Sequence, residues 1–432
     1  MTAVLLTALL FVVTGWGIVG RLHRQAPASV VIAEAFLVGA LMQAVVFCVL
    51  SECGVPWSRG WLFAGPGLSF GVLRFPFFVV RRRGTRTTDN GQRKTPSPGL
   101  GGVELSVIAA VTILHALFAT IAPLTEWDFL GIWGMKGNVF FEHRGIDWAF
   151  LEHPEHGFTN RDYPPMLPIG YAIHALIRGV WEERFIGAFN TLFGLAAAVI
   201  ACDGTSVRRL PLFQRIPAVV TLTLVAFSGR IGLAEGALIA FGIAALLRLR
   251  DHYFLLGALL LGGAAWTKNE GLALLAAVVL GMVVAGLWRR LLLLWPAVVL
   301  AGSWQLARAL HELPTERARG NPFERIAAHL AQWSEWMPEL WRYLEKPAFW
   351  LAMIVVFIAA GRRALWRERF MVTVLLAQLA AIAAAYLVTY VHLPLELEHS
   401  WERVTHQLAL IAAATAVLAW QRRTEADQSR PS

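Results

Sequence analysis

Apolar residues in this chain come in long unbroken runs, with none of the strand-like alternation in stretches of about ten that a spanning barrel needs. Runs of roughly 18–20 apolar residues read as helices that cross a bilayer. They fall near 2–20, 30–50, 61–80, 103–124, 185–201, 213–228, 231–247, 253–266, 271–288, 291–309, 347–361, 370–391 and 404–420. The pattern predicts an all-α fold, a polytopic membrane helix bundle of about thirteen transmembrane helices. The run 61–80 is the weakest, since it carries Pro66, Arg74 and Pro76. Residues 2–20 read as a retained helix rather than a cleaved leader, because no basic region follows Met1 and no small-residue cleavage site precedes Arg21.

The polar breaks between the runs set the orientation. Lys and Arg collect in cytoplasmic loops. The stretch 81–98 holds Arg81, Arg82, Arg83, Arg86, Arg93 and Lys94 against Asp89 alone, and is rich in Pro and Gly. It reads as a flexible inner linker. Arg21 and Arg24, Arg208 and Arg209, Arg248 and Arg250, Arg289 and Arg290, Arg362 and Arg363, and the tail arginines Arg422, Arg423 and Arg430 mark further inner turns. The N-terminus then lies outside and the C-terminus inside. The chain divides into N-terminal transmembrane helices (1–80), a basic linker (81–102), a core with a large outer loop 125–184 (103–309), a second outer loop (310–346), and C-terminal helices with a tail (347–432).

With every basic loop inside, the apolar stretch 167–180 cannot cross. It predicts an amphipathic helix lying on the outer membrane face. In the second outer loop Phe323, Ile326, Leu330, Trp333 and Met337 recur at spacings of three and four. This is one helical face, which caps the bundle or walls a lipid groove, with Pro338 breaking the stretch in two.

Composition agrees with a membrane bundle. The chain is 57% hydrophobic and 16% charged, where a soluble domain carries about 25% charged residues. A net charge of +9 would suggest nucleic acid in a soluble protein. Here the basic residues sit in short loops and topology accounts for them, so no nucleic-acid partner is expected. Cys48, Cys53 and Cys202 have no metal-type spacing and read as apolar filler. No tandem repeat is visible, which argues against a transporter of inverted repeats.

Candidate chemistry concentrates in the first outer loop. Between 125 and 165 there are seven acids against three bases. Most suit a solvated surface. Asp128 differs, since TEWDFLGIWGMKG follows directly on an apolar run and sets a carboxylate among Trp127, Phe129 and Trp133. Apolar surroundings raise a carboxylate pKa, which suits base catalysis. In NRDYPPMLP, residues 160–168, the paired prolines stiffen the backbone and present Asp162 and Tyr163 rigidly, as a helix-entry turn also would. Lys268 and Glu270 in WTKNEG lie in an outer turn, where a lysine can hold a phosphate or simply pair with Glu270. His143, His153 and His156 share the loop, but Pro154 between the last two disfavours a helical ligand pair.

Together these pieces resemble the GT-C superfamily of glycosyltransferases, which includes protein O-mannosyltransferases, aminoarabinose transferases and Rgt-like membrane enzymes. The matching elements are Glu126-Trp127-Asp128, Asp162-Tyr163-Pro164-Pro165, Arg184 opening a helix, Glu235 on the outer side, the Lys268-Asn269-Glu270-Gly271 turn, and Ser400-x-x-Arg403. The family carries adjacent acids where this chain has Glu-Trp-Asp, and Asp128 is taken as the match. The resemblance covers about residues 103–290, with a weaker echo at the C-terminus. It implies a polyprenyl-phosphate-sugar donor, a lipid, glycan or protein acceptor, and Asp128 as base with Asp162 assisting. Glu126, Tyr163, Arg184, Glu235, Lys268, Glu270 and Arg403 would bind substrate. It brings no certain cofactor; a divalent metal ion, used by some members, is the one candidate, and no ligands are assigned to it. It also implies a bacterial inner membrane with the site outside. A transporter or flippase would need charges midway along its helices, where mainly Glu34, Arg74 and Glu235 fall. An O-antigen ligase or polymerase carries its large outer loop late, whereas here the richer loop is early.

Overall fold

The computed structural model describes residues 1–72, 99–122, 124–314, 321–342, 347–389 and 393–428. Residues 81–98 of the basic linker and 73–80 of the expected crossing 61–80 lie outside the described residues. Within them every regular element is helical. In chain order these are α1 (Thr2–Leu22), α2 (Ala28–Glu52), α3 (Ala64–Val72), α4 (Gly102–Ile121), α5 (Gly134–His143), α6 (Trp148–Glu152), α7 (Met166–Arg178), α8 (Glu183–Gly204) and α9 (Leu212–Ala226). There follow α10 (Glu235–Arg250), α11 (Phe254–Thr267), α12 (Glu270–Val284), α13 (Trp295–Leu310), α14 (Pro322–Ala331), α15 (Trp333–Arg342), α16 (Pro347–Arg367), α17 (Arg369–Leu387) and α18 (Leu393–Gln428).

Eight of the described helices are long and apolar enough to cross a membrane: α1, α2, α4, α8, the run Trp288–Leu310 that ends in α13, and most of α16, α17 and α18. Eight of the about thirteen expected crossings thus form helices of that length among the described residues. The runs expected at 213–228, 231–247, 253–266 and 271–288 form α9 to α12, of 15, 16, 14 and 15 residues. At 1.5 Å per residue these reach only ~24 Å, short of a hydrocarbon layer of about 30 Å. The reason is visible for α10 and α11. Nearly all of their residues are buried among other helices, so their length need not match the lipid.

The outer helices show the opposite pattern. On α4 the side chains of Ile113, Leu114, Leu117, Phe118 and Ile121 are exposed, and on α16 those of Leu351, Ile354, Val355 and Ile358. An apolar surface this extensive suits a lipid solvent. Where α1 crosses α2 the backbones touch. A Cβ on Gly15 would stand 2.0 Å from the Ala35 carbonyl oxygen, and one on Gly39 would stand 1.7 Å from that of Phe11. Only glycine permits that approach.

Contacts sort the turns into two ends. At one end Arg215 meets Glu104 (3.3 Å), His23 and Arg248 meet Glu34, and Arg250 and Arg422 meet Glu368. These are the turns that the basic loops assign to the inside. At the other end Arg403 meets Asp128 and Lys268 meets Glu235. Glu235 and Arg250 bound the same helix, so the two groups stand a helix length apart.

Three expectations need correcting. The stretch 167–180 does form a helix, α7, but it does not lie on a surface. Every residue from Met166 to Leu176 is buried, packed among α1, α2, α5 and α8. Its strong amphipathicity is used within protein, because α5 and the surrounding loop cover the side that would face water. In the second outer loop the break falls at Gln332, between α14 and α15, while Pro338 sits inside α15. The face that packs is also shifted. Trp336 and Leu340 rest on a cluster with Leu397 and Trp401, while Phe323, Leu330 and Trp333 are exposed. Cys53 is exposed, unlike the buried Cys48 and Cys202.

Candidate functional site

The first outer loop is anchored from within. Phe129 opens a π-helical turn, Phe129–Trp133, that leads into α5. Its ring is locked by two glycines: a Cβ on Gly134 would meet it at 2.6 Å and one on Gly232 at 2.8 Å. Trp133 is fully buried and stacks on Tyr163, with centroids 5.4 Å apart and planes at 20°. The aromatics around Asp128 thus divide their work. Phe129 and Trp133 seat the turn in the core, while Trp127 stays exposed. Asp128 is left at the turn's start, facing out of the packed side.

The second carboxylate is held from several directions. Arg161 donates to the Glu152 and His153 carbonyls at 3.1 Å each and ties the loop to itself. Asn160 turns the chain with φ 49°. Trp304 Nε1 donates to the Asp162 carbonyl (3.0 Å), and Asn269 Nδ2 donates to its carboxylate (3.0 Å). Burial pushes the Asp162 pKa above its ordinary value, against the opposing pull of Arg308, Lys136 and the Asn269 hydrogen bond. Pro164 and Pro165 then lead directly into α7.

Beneath Asp162 lies Lys136, which is 1% exposed. Its Nζ donates to the Asn160 carbonyl (3.2 Å) and stands 5.3 Å and 5.9 Å from the ring centres of Trp133 and Tyr163. Burial lowers its pKa to about 7, with Asp162 opposing.

The cations come from the bundle. Lys268 follows α11 in a turn closed by Gly271, where a Cβ would be 2.2 Å from the Ala264 carbonyl oxygen. Its Nζ pairs with Glu235 at 3.1 Å and Glu270 at 2.8 Å. Arg403, on α18, pairs with Asp128. Ser400, one turn earlier, shares a 2.8 Å hydrogen bond with the Tyr386 hydroxyl of α17.

These groups line one cavity of about 370 Å³. Asp128, Asp162, Tyr163, Lys268, Glu270 and Arg403 are all on its wall, with Asn160, Asn269, Gln378, Tyr386, Glu396 and Ser400 beside them. Ala381, Ile382, Ala385 and Val404 form an apolar side. Several polar atoms around it have no hydrogen-bond partner: Glu235 Oε2, Glu270 Oε2, Asn269 Oδ1, Gln378 Oε1 and Arg403 Nε. Each such atom calls for a partner, which a ligand or water in the cavity would supply.

Six of the nine sequence-predicted residues thus share the cavity. Glu235 stands just behind it, holding Lys268. Glu126 is displaced, pairing with Arg230 at 2.8 Å. Arg184 is exposed at the start of α8 and does not line the cavity. Asn269 and Ser400, both within the matching motifs, also line the cavity without being among the nine. Tyr386, one of only six tyrosines in the chain, stood alone in an alanine-rich run. Lys136 was a lone lysine in an aromatic stretch, which signals a buried charge. His143 sits 3.7 Å from Asp147, and no group of three or more metal-ligating side chains occurs among the described residues.

The fold and cavity define a class: an all-helical chain compatible with a multi-pass membrane protein, with a charged cavity at the end opposite its basic turns. Comparison with family models, with curated proteins and with solved structures returns no match.

Proposed function

We propose that this protein is a membrane glycosyltransferase that moves a sugar from a polyprenyl-phosphate donor to an acceptor hydroxyl on the non-cytoplasmic face, with inversion. In a bacterium that face is the periplasmic side of the inner membrane. The observation that supports the reading is the pairing, in one cavity, of two carboxylates, Asp128 and Asp162, with two cations, Lys268 and Arg403, beside an apolar wall. Phosphate needs the cations, a lipid chain needs the wall, and an attacking hydroxyl needs a base.

Arg403 explains how the empty and loaded site would differ. With no donor, its guanidinium pairs with Asp128 and occupies that carboxylate. A donor phosphate competes for Arg403 and Lys268 and frees Asp128. Asp128 then takes the acceptor O–H proton as that oxygen bonds to the anomeric carbon. The carbon–oxygen bond to phosphate breaks, and the leaving charge falls on polyprenyl phosphate. The cations favour that developing charge more than the ground state. Asp162, fixed by Asn269 and Trp304, orients the incoming hydroxyl. Arg184, exposed on α8, does not line this cavity.

The test is release of polyprenyl phosphate from a defined polyprenyl-phosphate sugar by purified protein supplied with membrane extract as acceptor source. The wild type should release it and Asp128→Asn should not, at equal protein level in the membrane. Equal release by both removes Asp128 from the base role. No release by either, together with uptake of the intact donor across vesicles, replaces the enzyme by a flippase.

A further inference from the structure

At the opposite end of the bundle from the candidate site, α16 and α17 diverge and leave a groove of about 510 Å³ that opens outward. Its walls are apolar: Ile358 and Leu365 from α16, Leu376 from α17. Its rim is basic. Arg362 is exposed there, and Arg369 is fixed by donating to the carbonyls of Val284 (3.2 Å) and Ala285 (3.0 Å), with its guanidinium 5.7 Å from the Trp366 ring centre. The helix axis breaks at Gly361, with φ 80°, and Arg423 donates to the nearby Ala359 carbonyl. No acid is among the residues that line the groove. The neighbouring Glu368 is buried and already engaged by Arg250 and Arg422.

We infer that this groove binds one anionic phospholipid, its headgroup phosphate between Arg362 and Arg369 and an acyl chain along Ile358, Leu365 and Leu376. Three observations converge on that occupant. The groove lies between two helices whose outer faces are exposed and apolar, so its surroundings are lipid. Trp366 is 64% exposed at the level of the arginines, where an aromatic ring marks the headgroup region. The rim carries unopposed positive charge, with one guanidinium held in place before any ligand arrives. Basic pockets between helices on the cytoplasmic side select anionic headgroups in this way. The inference is independent of the glycosyltransferase reading.

Native mass spectrometry of the full chain, released from nanodiscs of equal phosphatidylglycerol and phosphatidylcholine, tests it. The wild type should retain one phosphatidylglycerol in preference to phosphatidylcholine by at least ~10-fold. Arg362→Gln, at an exposed position that leaves the packing intact, should lower that preference by about 5-fold, and Arg362→Gln with Arg369→Gln should abolish it. Leu376→Trp, which fills the groove and keeps both arginines, should lose the bound lipid. Equal retention of the two lipids by the wild type would overturn the proposal, as would unchanged preference in Arg362→Gln. A dimer abolished by Leu376→Trp would instead assign the groove to a second copy of the chain.

Discussion

The two ends of this bundle bury the same kinds of charge and use them differently. At the inner end Glu34 and Glu368 are each engaged through both carboxylate oxygens. Glu34 accepts from His23 through one oxygen and Arg248 through the other. Glu368 takes Arg250 through both oxygens, at 2.7 and 2.9 Å, and Arg422 as well. At the outer end the pairs are half made. Glu235 and Glu270 each use one oxygen on Lys268 and leave the other without a partner. Asn269 donates to Asp162 while its own oxygen has none. A buried polar atom left unpaired costs about 1–3 kcal/mol. The inner cluster fastens helices together; the outer one gives up some stability and leaves room for a ligand.

The sharpest way to break this contrast is one substitution at each end. Asp128→Asn should lower transfer by ~10²–10⁴-fold, the worth of a positioned general base, with only a small change in melting temperature, since its pair with Arg403 is partly exposed. Glu34→Gln should do the reverse. It strands Arg248, so stability should fall by about 3–5 kcal/mol while activity per folded molecule stays the same. Transfer assays alongside thermal denaturation of both variants check this. If Glu34→Gln lowers activity at unchanged stability, the division between the ends fails.

The next effect in size belongs to Arg403. Arg403→Gln should cost ~10²–10³-fold in transfer, as for loss of a group that stabilises developing charge, and should weaken donor binding. Its counterpart Arg422→Gln, half exposed at the inner end, should leave both nearly unchanged.

A smaller effect tests the floor of the outer loop. Lys136 has an ordinary pKa of 10.5, lowered by burial to about 7 in the folded chain. Between those values the unfolded chain binds a proton that the folded chain does not, so stability should rise with pH through that window. The slope is at most ~1.4 kcal/mol per pH unit, and below pH 7 this lysine adds none. Melting temperatures from pH 7 to pH 9 should climb in the wild type and flatten in Lys136→Met. Parallel curves would show that the lysine is charged throughout.

The smallest change concerns Asn269. Its hydrogen bond to Asp162 lowers the carboxyl's pKa against the raising effect of burial. Asn269→Ala should therefore move the acid limb of the rate profile to higher pH, with transfer reduced about 10-fold or less. An acid limb that stays in place would mean that Asp162 does not set it.

Much of this was legible in the chain, and what was not has physical causes. Basic loops revealed the two ends, because charge near a membrane is read through a simple asymmetry. Motif residues converge on one cavity, Asp128 and Lys268 from short turns and Arg403 from α18. The number of crossings was legible only in part, because apolar runs do not distinguish a helix facing lipid from one enclosed by protein, as α10 and α11 are. The amphipathic stretch of α7 misled for a related reason: a polar face can meet a protein loop as well as water. Arg184 looked like a phosphate ligand from its place in a motif, but the direction of its side chain depends on packing that spacing does not report. Tyr386 and Gln378 come from the interior of one apolar helix and reach the site only through the way α17 packs against α12 and α18.

The central claim is that the outer cavity holds a lipid-linked sugar phosphate. The most direct measurement is mass spectrometry of lipid that co-purifies with the full chain, compared with the same preparation of Lys268→Gln and Arg403→Gln. A polyprenyl phosphate, bare or sugar-loaded, should accompany the wild type and be depleted from both variants. A bound nucleotide sugar, or a polyprenyl phosphate retained equally by all three proteins, would contradict it.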